Sequence, residues 1–267
     1  MTTNGTTLRD VMVCLDEFAP LAIAEDWDNV GLLVGDPQRL VNRVMTCLTI
    51  TPATAQEAIE RNADLIVSHH PLPFRPLKQI TTETTVGRLL LGLLSANIAI
   101  YSPHTAFDSA AAGINQRIAE GLGLMEIRAI IDQDCQEKSP GAGRLGSLEN
   151  PITLAELAAR VKGFLKIDTL RFVGDLNRHL TTVAVACGSG GSFLDAAHRA
   201  GCDVMVTGEA TFHTCLEAEA LEIGLLLPGH YASERFALEC LADFLADKFP
   251  DLTIWPSEQE ADPLSSL

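Results

Sequence analysis

At 267 residues, 47% of them hydrophobic, the chain can bury a large core and divide into two domains. Nineteen Lys and Arg against thirty-five Asp and Glu leave a net charge of −16, which repels phosphate backbones and anionic membranes and disfavours nucleic acid as a partner. Seven scattered cysteines without a C-x-x-C pair, no leader-like amino terminus and no apolar run of the ~18 residues a membrane span needs lead to the expectation of a soluble cytoplasmic protein with reduced thiols.

In chain order, the first informative segment is Ala24–Asp36, Ala-Glu-Asp-Trp-Asp-Asn-Val-Gly-Leu-Leu-Val-Gly-Asp, in which Trp27 is expected to be a buried anchor. Next, Arg43–His70 reads as strand, turn, helix, strand. The apolar run Val44–Leu48 gives way at Thr51-Pro52, a hydroxyl and a proline that suit a helix start. Asn62-Ala63-Asp64 closes that helix, and the apolar strand Leu65–Val67 ends in Ser68-His69-His70-Pro71. A buried strand that delivers two imidazoles to its carboxyl end and then stops marks a candidate site, because sites collect at strand ends in α/β folds. A further helix leads to the apolar run Ile98–Tyr101 and then to His104-Thr-Ala-Phe-Asp108.

Residues 132–150 are polar and rich in Gly and Ser, which predicts a linker or irregular excursion. Thr153 and Glu156 then fit a capping box for a helix through Arg160. Thr182–Glu209 matches Arg43–His70 position for position, so an internal repeat is expected: Val183–Cys187 as strand, Gly188–Gly191 as turn, Phe193–Ala200 as helix, Val204–Val206 as strand. The second copy continues to Ile223–Leu227 and His230-Tyr-Ala-Ser-Glu234, which pairs His230 with His104 and Glu234 with Asp108. Residues 256–267 are acidic and polar and are expected to fray. The predicted fold is α/β: a first domain over 1–131 and a second over 151–267, related by the repeat and sharing a composite dinuclear metal site.

Four histidines and two acids in three similar segments suit the N and O coordination of Zn, Mn, Fe or Co. Two cations so held would serve hydrolysis, with one histidine left over as a proton carrier. His179 and His198 read as surface residues. Glu209 and His213 could face the site, although Glu209 reads more simply as a helix-start acid. The Gly188–Gly191 turn lacks the lysine and spacing of a phosphate loop.

Six ordered stretches, namely Ala24–Asp36, Ser68–Phe74, Tyr101–Asp108, Gly188–Ser192, Thr207–His213 and Gly229–Arg235, resemble the Ngg-interacting-factor-three-like family, also called GTP cyclohydrolase 1 type 2 homologs. The resemblance implies two divalent cations per chain on His69, His70, Asp108, His230 and Glu234, with Glu234 as the bridge. It places His104 beside the centre but not among the usual ligands, which leaves His104 as the catalytic proton carrier in the hydrolase reading. It also implies two similar α/β domains and self-assembly into toroidal hexamers. Thr49 stands where many relatives carry an acid, which could alter a hydrogen bond at the site edge, and Pro103 stands where a small residue is common. The function expected on this basis is metal-dependent hydrolysis of a small, nucleotide-like substrate. The alternative is a non-catalytic metal-binding, metal-delivery or regulatory scaffold protein, since a fold and a site do not name a substrate.

Overall fold

A computed structural model describes residues 5–132 and 141–265. The chain runs through α1 (Leu8–Phe18), β1 (Gly31–Val34), β2 (Arg43–Cys47), α2 (Pro52–Glu60), β3 (Leu65–Ser68), α3 (Thr85–Ser95), β4 (Ala99–Ser102) and α4 (His104–Ser109). It continues with α5 (Ile114–Gly121), β5 (Met125–Arg128), β6 (Ile131–Asp132), β7 (Gly141–Ala142), β8 (Arg144–Thr153), α6 (Leu154–Leu165), β9 (Arg171–Val173) and β10 (His179–Ala186). Last come α7 (Leu194–Arg199), β11 (Val204–Thr207), α8 (Phe212–Ala220), β12 (Gly224–Leu227), α9 (His230–Lys248) and β13 (Thr253–Pro256). These elements form two units, Met1–Phe107 with Ala237–Leu267, and Asp108–Phe236.

The first unit carries a five-stranded sheet in the order β1-β4-β3-β2-β13. Strands β13, β2, β3 and β4 are parallel, with Val44 opposite Leu65 and Leu65 opposite Ala99, and β1 is antiparallel at one edge. Parallel strands need a crossover, and the helices that provide it, α2 and α3, pack Ala55, Ala58, Leu90 and Leu93 against Met45, Ile66 and Ile100. The start of α2 is as the sequence predicts: Thr51 accepts from the Thr54 N–H and Pro52 occupies the first turn. Asp64, just before β3, accepts from the N–H groups of Asn42 and Arg43 and pairs with Arg39.

The second unit carries a six-stranded sheet, β5-β8-β10-β11-β12-β9, parallel only across β10, β11 and β12. Val183 lies opposite Val204, and α7 and α8 cover that face with Leu194, Ala197 and Ala218. Asp203, just before β11, accepts from the N–H groups of Thr181 and Thr182 and pairs with Arg178. The capping box of Thr153 and Glu156 is formed at α6.

Three expectations are corrected. Part of the predicted linker, 133–140, lies outside the described residues, but its later residues build β8, whose first residues Arg144, Leu145 and Gly146 are buried in succession and so show no alternation in the sequence. The tail does not fray through 257–260: Ser257 is buried, and the N–H groups of Glu258 and Gln259 donate to Glu57. Trp27 is 64% exposed, because its loop turns the Asp28 carboxylate inward instead. Cys47, Cys187 and Cys202 are buried thiols, as expected, while Cys14, Cys215 and Cys240 are half-buried. Among the described residues, no helix is long and apolar enough to cross a membrane.

Candidate functional site

In the first unit the strand ends set the site. Past β2 and β3, the His69 N–H donates to the Cys47 carbonyl and the His70 N–H to the Leu48 carbonyl, so both histidines extend the sheet pairing by two residues. The Ser102 hydroxyl, at the end of β4, donates to the His69 carbonyl at 2.6 Å. With the main chain fixed in this way, the rings of His69, His70 and His104 stand 5.0–5.6 Å apart. One nitrogen from each lies within 4.8 Å of the other two, a spacing on which a single cation could be held.

Each outer imidazole has a partner that aligns it. Thr49 Oγ1 lies 2.7 Å from His70 Nδ1. The Thr49 and Leu48 N–H groups donate to the Glu260 carboxylate at 2.7 and 2.9 Å, which ties the tail to the same loop. His104 Nδ1 lies 2.8 Å from Asp28 Oδ1, and Asp28 also accepts from the Thr105 N–H and hydroxyl. Burial of Asp28 favours its neutral form, but the hydrogen bonds from His104 and Thr105 outweigh this and hold its pKa at about 2. His104 itself has a φ of +28°, a conformation costly for a residue with a side chain, and the Asp28 contacts hold it there. A carboxylate on one ring nitrogen fixes the tautomer and orients the other.

In the second unit, His230 and Glu234 lie one turn apart at the start of α9, with His230 Nε2 3.0 Å from Glu234 Oε2. On the other ring nitrogen, His230 Nδ1 lies 3.0 Å from Glu209 Oε1, which also accepts from the Ser189 hydroxyl at 2.5 Å. The hydrogen bond to Glu234 is the main reason His230 is raised to about 9; burial opposes it, and the Glu209 contact adds to it. Glu209 is held below the ordinary glutamate range by Ser189 first and by His230 second. The Cys187 thiol donates to Asp108 Oδ1 at 3.1 Å, and burial, reinforced by the charges of Asp108 and Glu234, pushes it well up, so it stays protonated.

Glycine is required in this cluster. Gly188 has φ +58°, and a Cβ there would overlap Glu234 Oε1 and come within 3.3 Å of His230 Nε2. Gly188→Ala is therefore expected to push Glu234 aside and to weaken cation binding by roughly 10- to 100-fold, the range seen when ligand-orienting contacts are lost. A titration with Zn or Mn followed by calorimetry reads this directly, and unchanged affinity would show that Glu234 is not needed where it stands.

The structure thus gathers His69, His70 and His104 in one unit, and Asp108, His230 and Glu234 around Cys187 and Gly188 in the other. Glu209 is not a helix-start acid, because α8 begins at Phe212 behind the cap Thr211; it is the carboxylate that orients His230. His213 is exposed on α8, stacked edgewise on Phe212. The Gly188–Gly191 turn spends two of its N–H groups on the Ser233 and Thr207 hydroxyls, which leaves it a support for His230 and Glu234 rather than a phosphate cradle. His179 is exposed and His198 half-buried. Asp28 and Cys187 are partners that sequence reasoning missed. The signal for Asp28 was its place in the Asp-Trp-Asp-Asn stretch, and Cys187 carried no signal beyond its strand-end position.

Two sheets flanked by helices, with imidazoles and carboxylates grouped at strand ends and helix starts, define an α/β protein with side-chain groups that could bind metal ions. The Duf34/NIF3 (NGG1p interacting factor 3) family model matches residues 6–263, and the chain belongs to that family. A GTP cyclohydrolase 1 type 2 homolog of Clostridium acetobutylicum is 36% identical over 227 residues, which cover 85% of each chain. A NIF3-like protein 1 of Rattus norvegicus is 30% identical over 348 aligned positions, covering 96% of this chain and 92% of its own. The crystal structure of a Bacillus cereus protein related to NIF3 matches with a TM-score of 0.90 at 22% identity, over 99% of this chain and 100% of that one, a likeness of fold.

Proposed function

We propose that this protein is a metal-dependent hydrolase of a small, nucleotide-like molecule, in which His69, His70, Asp108, His230 and Glu234 would hold two divalent cations. The observation that carries the reading is that three imidazole nitrogens lie within 4.8 Å of one another, with His70 and His104 each aligned by a hydrogen-bonding side chain. Such cations supply Lewis-acid polarisation of the bond to be broken and activate water near neutral pH.

The chain's own residues would do the rest. Thr49 and Glu209 orient the His70 and His230 rings. Asp28 fixes His104 Nδ1, so that Nε2 is the atom through which His104 carries a proton to the leaving group. An internal repeat would account for the matching devices in the two units: strand registers offset by 21 residues, Val44 to Leu65 and Val183 to Val204, and an aspartate that caps the first strand in each. The same reading carries a toroidal hexamer in the cytoplasm, which light scattering on the purified protein checks.

The test is elemental analysis of protein purified without chelator, followed by a panel of phosphoesters, nucleotides and amides with the bound metal restored. Two cations per chain are expected, and a content well below one after reconstitution would overturn the reading. With activity in hand, Asp28→Asn is expected to lower kcat by about 100-fold with little change in KM, since general acid–base assistance contributes on the order of 10²–10⁴. Tight cation binding with no turnover anywhere in the panel would make the protein a metal store or delivery factor instead.

A further inference from the structure

Trp27 and Phe74 are two of the exposed large hydrophobic side chains of the first unit, at 64% and 48% exposure, and they stand together. Their ring centroids are 6.1 Å apart at 55°. Each also meets the His104 ring nearly edge-on, Trp27 at 6.2 Å and 80°, Phe74 at 5.9 Å and 81°. The His104 ring in turn is 5.1 Å from His69 and 5.6 Å from His70. Two solvent-facing aromatic rings thus lie one ring-width from the clustered imidazoles.

The inward turn of Asp28 leaves Trp27 facing outward, and both rings sit on braced loops. Asn29 Nδ2 donates to the Pro73 carbonyl at 2.7 Å, joining the loop of Trp27 to the loop of Phe74. Asp28, next to Trp27, is locked to His104 and Thr105. An exposed aromatic surface held in place before binding loses little freedom when a ligand stacks on it. Arg75 and Lys78 follow Phe74 on the same exposed stretch, basic residues suited to an anionic group in a chain of net charge −16.

We propose that Trp27 and Phe74 form a stacking surface for a planar heteroaromatic ring, which they hold so that a polar substituent of the same molecule reaches the half-buried His70 and His104. This names the substrate class for the hydrolase reading and rests on it for the role of the imidazoles, though not for the stacking itself. A ring seated on Trp27 explains why the tryptophan of this loop faces outward and the aspartate inward.

The chain offers its own reporter. Of its two tryptophans, Trp255 is buried and Trp27 is exposed, so a ligand on this surface changes the emission of Trp27. Fluorescence of the full-length protein is titrated with guanosine and adenosine 5′-monophosphate, with ribose 5-phosphate as the ringless control, with metal bound and again in chelator. The expected result is saturable quenching by a purine nucleotide and none by ribose 5-phosphate. Phe74→Ala is expected to weaken the nucleotide by on the order of 10-fold, as loss of one stacking partner does. Trp27→Ala, read by calorimetry, is expected to weaken it at least as much, with an unchanged melting temperature showing that the fold is kept.

No saturable quenching by either purine nucleotide overturns the proposal, as does equal binding of the ringless control or wild-type affinity in both variants. A blue shift of Trp27 with protein concentration alone would overturn it in favour of a second copy covering the surface. Quenching that persists in chelator while no metal binds would leave the stacking surface standing and sink the metal-dependent reading; metal binding without quenching would do the reverse.

Discussion

On the proposed metal-dependent reading, Glu234→Gln is expected to lower divalent-cation affinity by about 100-fold or more and to remove turnover with it, because losing a ligand would cost at least the upper end of what losing a ligand's orienting partner costs. The substitution keeps the shape of the side chain and removes its charge. Glu234 is buried beside His230 Nε2 and adds to the charge around Cys187. In the metal-free protein the same substitution has a second reading. The hydrogen bond to Glu234 is the largest cause of His230 being raised to about 9, so His230 in Glu234→Gln should titrate nearer the ordinary 6.5. In the wild type the raised value means that the His230 interaction stabilises the metal-free fold fully below the unfolded value and is lost as pH rises through 9. Histidine NMR titration and elemental analysis give the two readouts. Wild-type metal content in Glu234→Gln would show that the carboxylate is structural only.

Glu57→Ala is expected to destabilise the protein by about 3 kcal/mol, the largest effect on stability anticipated for a residue away from the imidazole and carboxylate groups. Glu57 is 5% exposed on α2 and accepts from Trp255 Nε1 at 3.1 Å, the Ser257 hydroxyl at 2.5 Å and the N–H groups of Glu258 and Gln259 at 3.1 Å. Arg61 donates to it as well, at 3.2 Å, and lies over the Trp255 ring. Truncation strands several donors at once, two of them on buried side chains. Burial works against the charge of Glu57, but the hydrogen bonds from Ser257 and the following N–H groups hold its pKa below the usual value. A lowered folded value fixes the sign: this stabilisation is fully present above the unfolded glutamate pKa of about 4.3 and is lost as pH falls through the lower folded value. Urea denaturation of wild type and Glu57→Ala at neutral and acid pH should therefore show a gap that closes below about pH 4. A gap that stays constant with pH would mean that packing, and not the carboxylate, is what the substitution removes. Because Glu260 follows the clamped residues, the same variant should also loosen the hold on Thr49 and so on His70.

The candidate ligands were legible in the sequence because each breaks a local pattern: an apolar strand that ends in His69-His70, or an acid four residues beyond a histidine. The helix starts at Thr51-Pro52 and Thr153 were legible for the same local reason, since a cap needs only three or four residues to declare itself. What was not legible depends on partners far along the chain. Asp28 reaches His104 across 76 positions, Cys187 reaches Asp108 across 79, and Glu57 gathers donors some 200 positions away. No periodicity encodes such pairings. Trp27 was misjudged because a lone aromatic is equally suited to a core and to a binding surface, and only the inward turn of Asp28 decides between them. Strand β8 was hidden because its glycine, serine and proline read as turn chemistry and its buried residues, Arg144 to Gly146, follow one another without alternation.

The sheet that presents His69 and His70 is completed by β13, whose Thr253–Pro256 pairs with Arg43–Thr46 some 210 positions earlier. All of Asp108–Phe236 is synthesised between the two, and that unit is contiguous. On the ribosome the inserted unit can close on local contacts while the earlier one waits, one edge of β2 unpaired, for the last strand to emerge. Translation speed through Ala237–Leu267, and any chaperone that shields an open strand edge, would thus bear most on the unit whose first segment is translated before Asp108–Phe236.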